Sequence, residues 1–131
     1  PSDVVVAKEF SADARATTVP VNEVSSEQMI LDIGPDSVHS YGDALSSAGS
    51  IIWNGPMGVF EIEQFSHGSF GLAEILAGLD AVTVVGGGET AAVIARTGLA
   101  DRFTHISTGG GASLEMLEGK TLPGVAALDD A

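Results

Sequence analysis

An α/β fold built on an open parallel sheet, with helices covering both faces, is what this 131-residue sequence predicts. Strand-like runs and helix-like stretches alternate along the chain, as parallel βαβ units require. Two of those runs, residues 81–85 and 103–108, each break into a triple glycine that opens a helix-like segment. A composition 44% hydrophobic with 17 glycines lets the chain bury a core and carries too little bias for disorder. The length fits one domain or a piece of one.

Each element has its own signature. Residues 3–7, D-V-V-V-A, read as a short buried strand. Residues 17–21 read as an edge strand, because Pro20 cannot donate to a ladder. Residues 28–33 form a third strand, ended by Gly34 and Pro35. Proline suits a first helical turn, and the helix it starts carries Val38, Tyr41, Leu45 and Ala48 on one face. Residues 50–54 are a further strand. Leu72, Ile75, Leu76 and Leu79 then repeat at helical spacing, which marks core. The two glycine units follow, the second running into Leu114, Leu117 and Gly119.

Charge narrows the function classes. Eighteen acidic residues stand against five basic ones, for a formal −13. Such a balance argues against nucleic acid or an anionic membrane as partner, since both are bound through basic patches. It suits a solvated, solubilising surface. Without cysteine there is neither a disulfide framework nor a thiolate metal site. No apolar run approaches a spanning helix and no signal-peptide layout opens the chain, so a cytoplasmic protein is expected.

The glycine runs carry the chemistry. At a helix N-terminus they let bare amide N–H groups approach a phosphate, where the helix dipole favours negative charge. In an open parallel sheet, ligands sit beyond the carboxyl ends of the strands, where Asn54, Gly86 and Gly109 all fall. A polyanion here needs backbone amides, a divalent cation, or positive side chains supplied from elsewhere. Gly86, Gly88 and Ala91 also satisfy G-x-G-x-x-A, the dinucleotide fingerprint, which keeps an NAD-dependent oxidoreductase domain as the alternative. Its acidic ribose partner belongs about 20 residues on, and Asp101 comes too early. Gly119, Lys120 and Thr121 imitate the end of a P-loop, but Leu114 stands where the leading glycine belongs. His105, on a strand, reads as a packed or hydrogen-bonded side chain.

The run W-N-G-P-M-G-V-F-E at 53–61 is far more specific. With V-V-G-G-G-E-T-A-A at 84–92 and H-I-S-T-G-G-G-A-S-L-E-M-L-E-G-K-T-L-P-G-V at 105–125, it resembles phosphoglycerate kinase, in family order. Residues 5–10, V-V-A-K-E-F, and 31–35, L-D-I-G-P, fit as well, so the resemblance spans essentially the whole chain. It implies a Rossmann-like, three-layer α/β/α architecture, of which residues 1–131 are the later part of the C-terminal nucleotide-binding domain. The N-terminal phosphoglycerate-binding domain, with the basic residues that face the substrates, is then absent. The implied reaction is reversible phosphoryl transfer from 1,3-bisphosphoglycerate to ADP, giving 3-phosphoglycerate and ATP, with Mg2+ carried on the nucleotide. The intact enzyme is expected to be monomeric, and this chain alone inactive.

Roles follow from the resemblance position by position. Glu61 matches the carboxylate that binds the ribose hydroxyls, and Asn54, Pro56 and Val59 match residues lining the nucleotide near ribose and base. Gly86, Gly87 and Gly88 match the first phosphate loop, with the amides of Gly87 and Gly88 facing the phosphoryl group in flight. Thr90 matches a phosphate contact that also stabilises a helix start. Gly109, Gly110 and Gly111 match the loop facing the reacting carboxyl-phosphate. Glu89 stands where the family usually has the magnesium-holding aspartate, one methylene longer. Ile30 replaces a small residue in the wall of the adenine slot, and narrows it if its side chain points inward.

Overall fold

The computed structural model describes residues 1–128. In chain order the elements are β1 (Asp3–Ala7), β2 (Thr17–Pro20), β3 (Met29–Ile33), α1 (Pro35–Leu45), β4 (Ser50–Asn54), α2 (His67–Gly78), β5 (Val82–Gly86), α3 (Gly88–Thr97), β6 (His105–Ser107), α4 (Gly110–Leu117) and α5 (Pro123–Ala126). The α/β class and the parallel sheet stand as expected. β4, β5 and β6 pair in parallel in that order, with α2 and α3 as the connections.

The first three strands differ from expectation. They form a separate antiparallel sheet in the order β2-β1-β3. For β1 and β2 the physical reason is connection length: residues 8–16 are too short to carry a helix back across a sheet, so the chain reverses. Residues 21–28 then cross to the far side of β1, where β3 runs parallel to β2 and antiparallel to β1. β1 sits in the middle and is buried along its whole length, while β2 takes the edge that its proline permits. A shift of register between Val5 and Val6 bends the pairing with β3.

Alternation then sorts the parallel sheet into two faces. Ile51, Trp53, Val85 and Ile106 face the helices, where they meet Leu72, Leu76, Val93 and Ile94 in the main core. Tyr41, Leu45 and Ala48 pack against the same cluster, although α1 itself ends at Leu45. The opposite face carries Ile52 and Val82, which are 47% and 49% exposed. Coverage on both faces was expected; the described residues supply it on the α2–α3 side. A smaller core of Val5, Ala7, Ala14, Leu31 and Phe65 lies under the antiparallel sheet.

Two buried carboxylates fix helix starts from a distance. Asp3 accepts the amides of Ser37 at 2.7 Å and Asp36 at 3.2 Å, capping α1 across more than thirty residues of sequence. The Ser37 hydroxyl adds a 2.6 Å bond to the same carboxylate. Desolvation opposes the charge, yet the Ser37 hydroxyl and the amides of Ser37 and Asp36 together hold Asp3 below the usual 3.8. Asp32, 1% exposed, accepts the Gly68 amide at 2.7 Å at the start of α2. There desolvation wins, and its pKa is raised despite the amides of Gly68 and Ile33.

Candidate functional site

The carboxyl ends of β4, β5 and β6 open onto one cleft of about 350 Å³. It is lined by Asn54 and Gly55 from β4 and its turn, residues 87–90 from the start of α3, and Thr108, Gly110 and Gly111 at the start of α4. Both helix N-termini therefore point into a single hollow. The dipoles of α3 and α4 add there, and anions are favoured at both mouths.

Among the cleft glycines, Gly87 and Gly110 are held to glycine for different reasons. Gly87, the residue before α3, has φ +92°, a region that side chains strain to enter. Gly110 lies so close to the first loop that a Cβ would meet the Asn54 side-chain oxygen and stand 2.8 Å from Gly87 Cα. The two glycine loops thus touch, with Asn54 wedged at their junction.

Ser107, at the end of β6, organises both mouths. Its carbonyl accepts the Gly87 amide at 2.9 Å and its hydroxyl accepts the Gly109 amide at 3.1 Å. This corrects one expectation: the Gly87 amide is not free to face a ligand, because β6 already uses it. The donors left without an intrahelical acceptor are those of Gly88, Glu89 and Thr90 in α3, and of Gly110, Gly111 and Ala112 in α4.

The expected residues divide into groups. Asn54, Gly87, Gly88, Glu89, Thr90, Gly110 and Gly111 come together in the cleft, while Gly86 is buried behind it beside Asn54. Pro56, Val59 and Glu61 lie on the turn leading away, with Glu61 exposed and Val59 packed on the smaller core. Gly55 and Thr108 line the cleft and were not singled out from sequence. Their signal was positional only, since each is adjacent to an expected residue, Asn54 or Gly109. Ile30 is 54% exposed on β3.

That turn is held from several elements at once. The Gly55 amide donates to Thr90 Oγ1 at 2.7 Å, and Trp53 Nε1 donates to the Gly55 carbonyl at 2.7 Å. Ser69 Oγ, fully buried on α2, accepts the Met57 amide at 2.9 Å. The Val59 amide donates to the Leu31 carbonyl at 2.9 Å, and Arg96 Nη1 donates to the Phe60 carbonyl at 2.9 Å. Thr90 is thereby a structural acceptor, fully buried, at the foot of the cleft.

Glu89 is the one charged side chain among the residues lining the cleft. Among the described residues no three metal-ligating side chains gather. A single carboxylate beside free amides fits a magnesium ion that arrives on phosphates, since this ion keeps waters and takes one or two protein carboxylates. Such a donor set does not make a resident metal centre. Asp101 lies in the 3₁₀ turn Ala100–Arg102, past the far end of α3 and roughly 15 Å from the glycine mouth at 1.5 Å per residue. It cannot serve as the ribose acid of a dinucleotide fingerprint, so that alternative loses its second half. Lys120 is exposed and paired with Glu118, outside the cleft. Among the described residues no helix is long and apolar enough to cross a membrane.

Comparison with known proteins bears on the family and the fold. The family model described as "Phosphoglycerate kinase" matches residues 1–120. The chain is 54% identical over 133 residues to phosphoglycerate kinase of Chlorobaculum tepidum, covering 99% of this chain and 34% of that protein. It is 53% identical over 134 residues to the cytosolic phosphoglycerate kinase of Nicotiana tabacum, covering all of this chain and 33% of that protein. Among solved structures, phosphoglycerate kinase from Coxiella burnetii superposes with a TM-score of 0.89 at 47% identity, over 96% of this chain and 33% of that one. The enzyme from Pyrococcus horikoshii gives 0.84 at 35% identity, over 98% of this chain and 31% of that one. The chain thus spans about a third of the length of the relatives it matches.

Proposed function

The chain belongs to the phosphoglycerate kinase family, and on that premise we propose that it forms part of a magnesium–nucleotide site. In this reading residues 1–131 are the later part of the C-terminal, nucleotide-binding domain, and the phosphoglycerate-binding domain lies on the remainder of a longer protein. The whole enzyme transfers a phosphoryl group reversibly from 1,3-bisphosphoglycerate to ADP, in the cytoplasm and as a monomer.

The observation that carries this reading is the convergence of two glycine-opened helices, α3 and α4, on one cleft with unpaired amides at both mouths. A terminal oxygen of ADP attacks the phosphorus of the acyl phosphate, the P–O bond to the carboxyl oxygen breaks, and 3-phosphoglycerate leaves. The task is in-line positioning and charge stabilisation rather than covalent catalysis. Amides of Gly88 and Glu89 hold the nucleotide phosphates, and those of Gly110 and Gly111 face the phosphoryl group in transit, a preorganised electrostatic role. Glu89 would hold the metal, and magnesium, when bound, would supply charge neutralisation at the phosphates. Glu61 takes the ribose hydroxyls, with Asn54, Pro56 and Val59 along ribose and base. Gly86 and Gly87 shape the loop, and basic residues of the other domain close over it, excluding water.

Calorimetric titration of the full-length protein with Mg-ADP and with NAD tests the assignment. Saturable Mg-ADP binding without NAD binding is expected; saturable NAD binding contradicts it. In a coupled assay the 131-residue chain alone gives no turnover, whereas robust activity would refute the division of labour between domains.

A further inference from the structure

Helix α3 grips the turn after β4 at both ends. Its Thr90 accepts the Gly55 amide at 2.7 Å, and its Arg96 donates to the Phe60 carbonyl at 2.9 Å. The two grips are six residue steps apart on the helix, roughly 9 Å along the axis at 1.5 Å per residue. The Arg96 guanidinium also lies over the Phe60 ring, 5.0 Å from its centre, and that ring is buried in the main core. Charge-assisted donation to the carbonyl and attraction to the ring face act on one residue together. Among the described residues Arg96 has no carboxylate partner, so Phe60 sets where its guanidinium sits. The residue after Phe60 is Glu61, exposed and without a side-chain hydrogen bond among the described residues.

We infer that Arg96 is a positioning residue for nucleoside recognition: it fixes the backbone at Phe60 and thereby places the Glu61 carboxylate at the ribose. The inference rests on the proposed nucleotide site, and in particular on Glu61 facing the ribose hydroxyls. It adds a link between the halves of that site. The helix whose N-terminal amides face the phosphates carries, two turns later, the side chain that holds the ribose acid in register. An arginine at this place therefore serves substrate selection from a position that touches no substrate atom.

The test compares ADP with 2′,3′-dideoxy-ADP as substrates of the full-length protein. Arg96→Met keeps an apolar stem over Phe60 and removes both donor and charge. It raises KM for ADP about tenfold, leaves kcat within about threefold, and changes KM for dideoxy-ADP less than about twofold. Arg96→Lys, which keeps a charged donor, returns KM for ADP to within about threefold of wild type. Equal losses on both nucleotides, or no loss on ADP, overturn the inference, because a merely structural residue cannot tell the two apart. Where Arg96→Met does not fold, Arg96→Gln carries the same comparison with the same two outcomes. A wild-type protein that uses both nucleotides equally well contradicts the ribose role of Glu61 itself, so the two failures are distinguishable.

Discussion

Glycines in the cleft are not interchangeable, and their substitution separates binding chemistry from folding. A Cβ on Gly88 would meet nothing within 4 Å, and φ there is not positive. Gly88→Ala should therefore fold normally but set a methyl where, in the proposed site, a phosphate oxygen approaches. In the full-length protein kcat/KM for Mg-ADP should fall about tenfold or more, with the thermal midpoint within about 2 °C of wild type. Gly110→Ala behaves differently, because its Cβ would stand 2.8 Å from Gly87 Cα and against Asn54. It should cost about 1–3 kcal/mol of stability as well as activity, read by thermal unfolding beside the kinetic assay. Both loops are legible in the sequence, from the triple glycines that follow two strand-like runs. Which amides remain free was not legible, because Ser107, far along the chain from Gly87, decides it.

Among the elements, the starts of α1 and α2 are held by carboxylates on neighbouring strands, and these give opposite pH dependences. Asp3 has its folded pKa depressed, so it contributes stability above about 3.8 that is lost as pH falls through the folded value. Asp32 has its pKa raised by burial; the folded state binds its proton more tightly, so stability rises as pH falls toward 3.8 from above. Asp3→Asn should cost about 1 kcal/mol near neutral pH and flatten the loss of stability below pH 4. Asp32→Asn should flatten the slope just above it. Urea midpoints at several pH values read both, and unchanged slopes would contradict the assignment. Strands and helices were largely legible from periodicity, with β1 and β4 matched at both ends. The pairing of β2 and β3 on either side of a central, antiparallel β1 was not, because alternation in sequence fixes neither strand direction nor strand order. Nor were the clamps from Ser69 and Arg96, whose partners lie 12 and 36 residues away.

For the whole molecule, the formal charge of −13 and the anion-favouring cleft are reconciled by geometry. Oriented main chain at two helix mouths supplies local positive potential that no count of lysines records. The chain spans about a third of the relatives' length, and the proposal places the remaining substrate-facing groups on the rest of a longer protein. Backbone amide chemical shifts of the full-length protein, followed as Mg-ADP is added, test the central claim most directly. The largest changes should fall on Gly88, Glu89, Thr90 and residues 110–112, while the Gly87 amide, already bonded to Ser107, moves little. Shifts that spare both helix mouths, or that centre on Gly87 alone, would contradict an account in which free main-chain donors hold the phosphates.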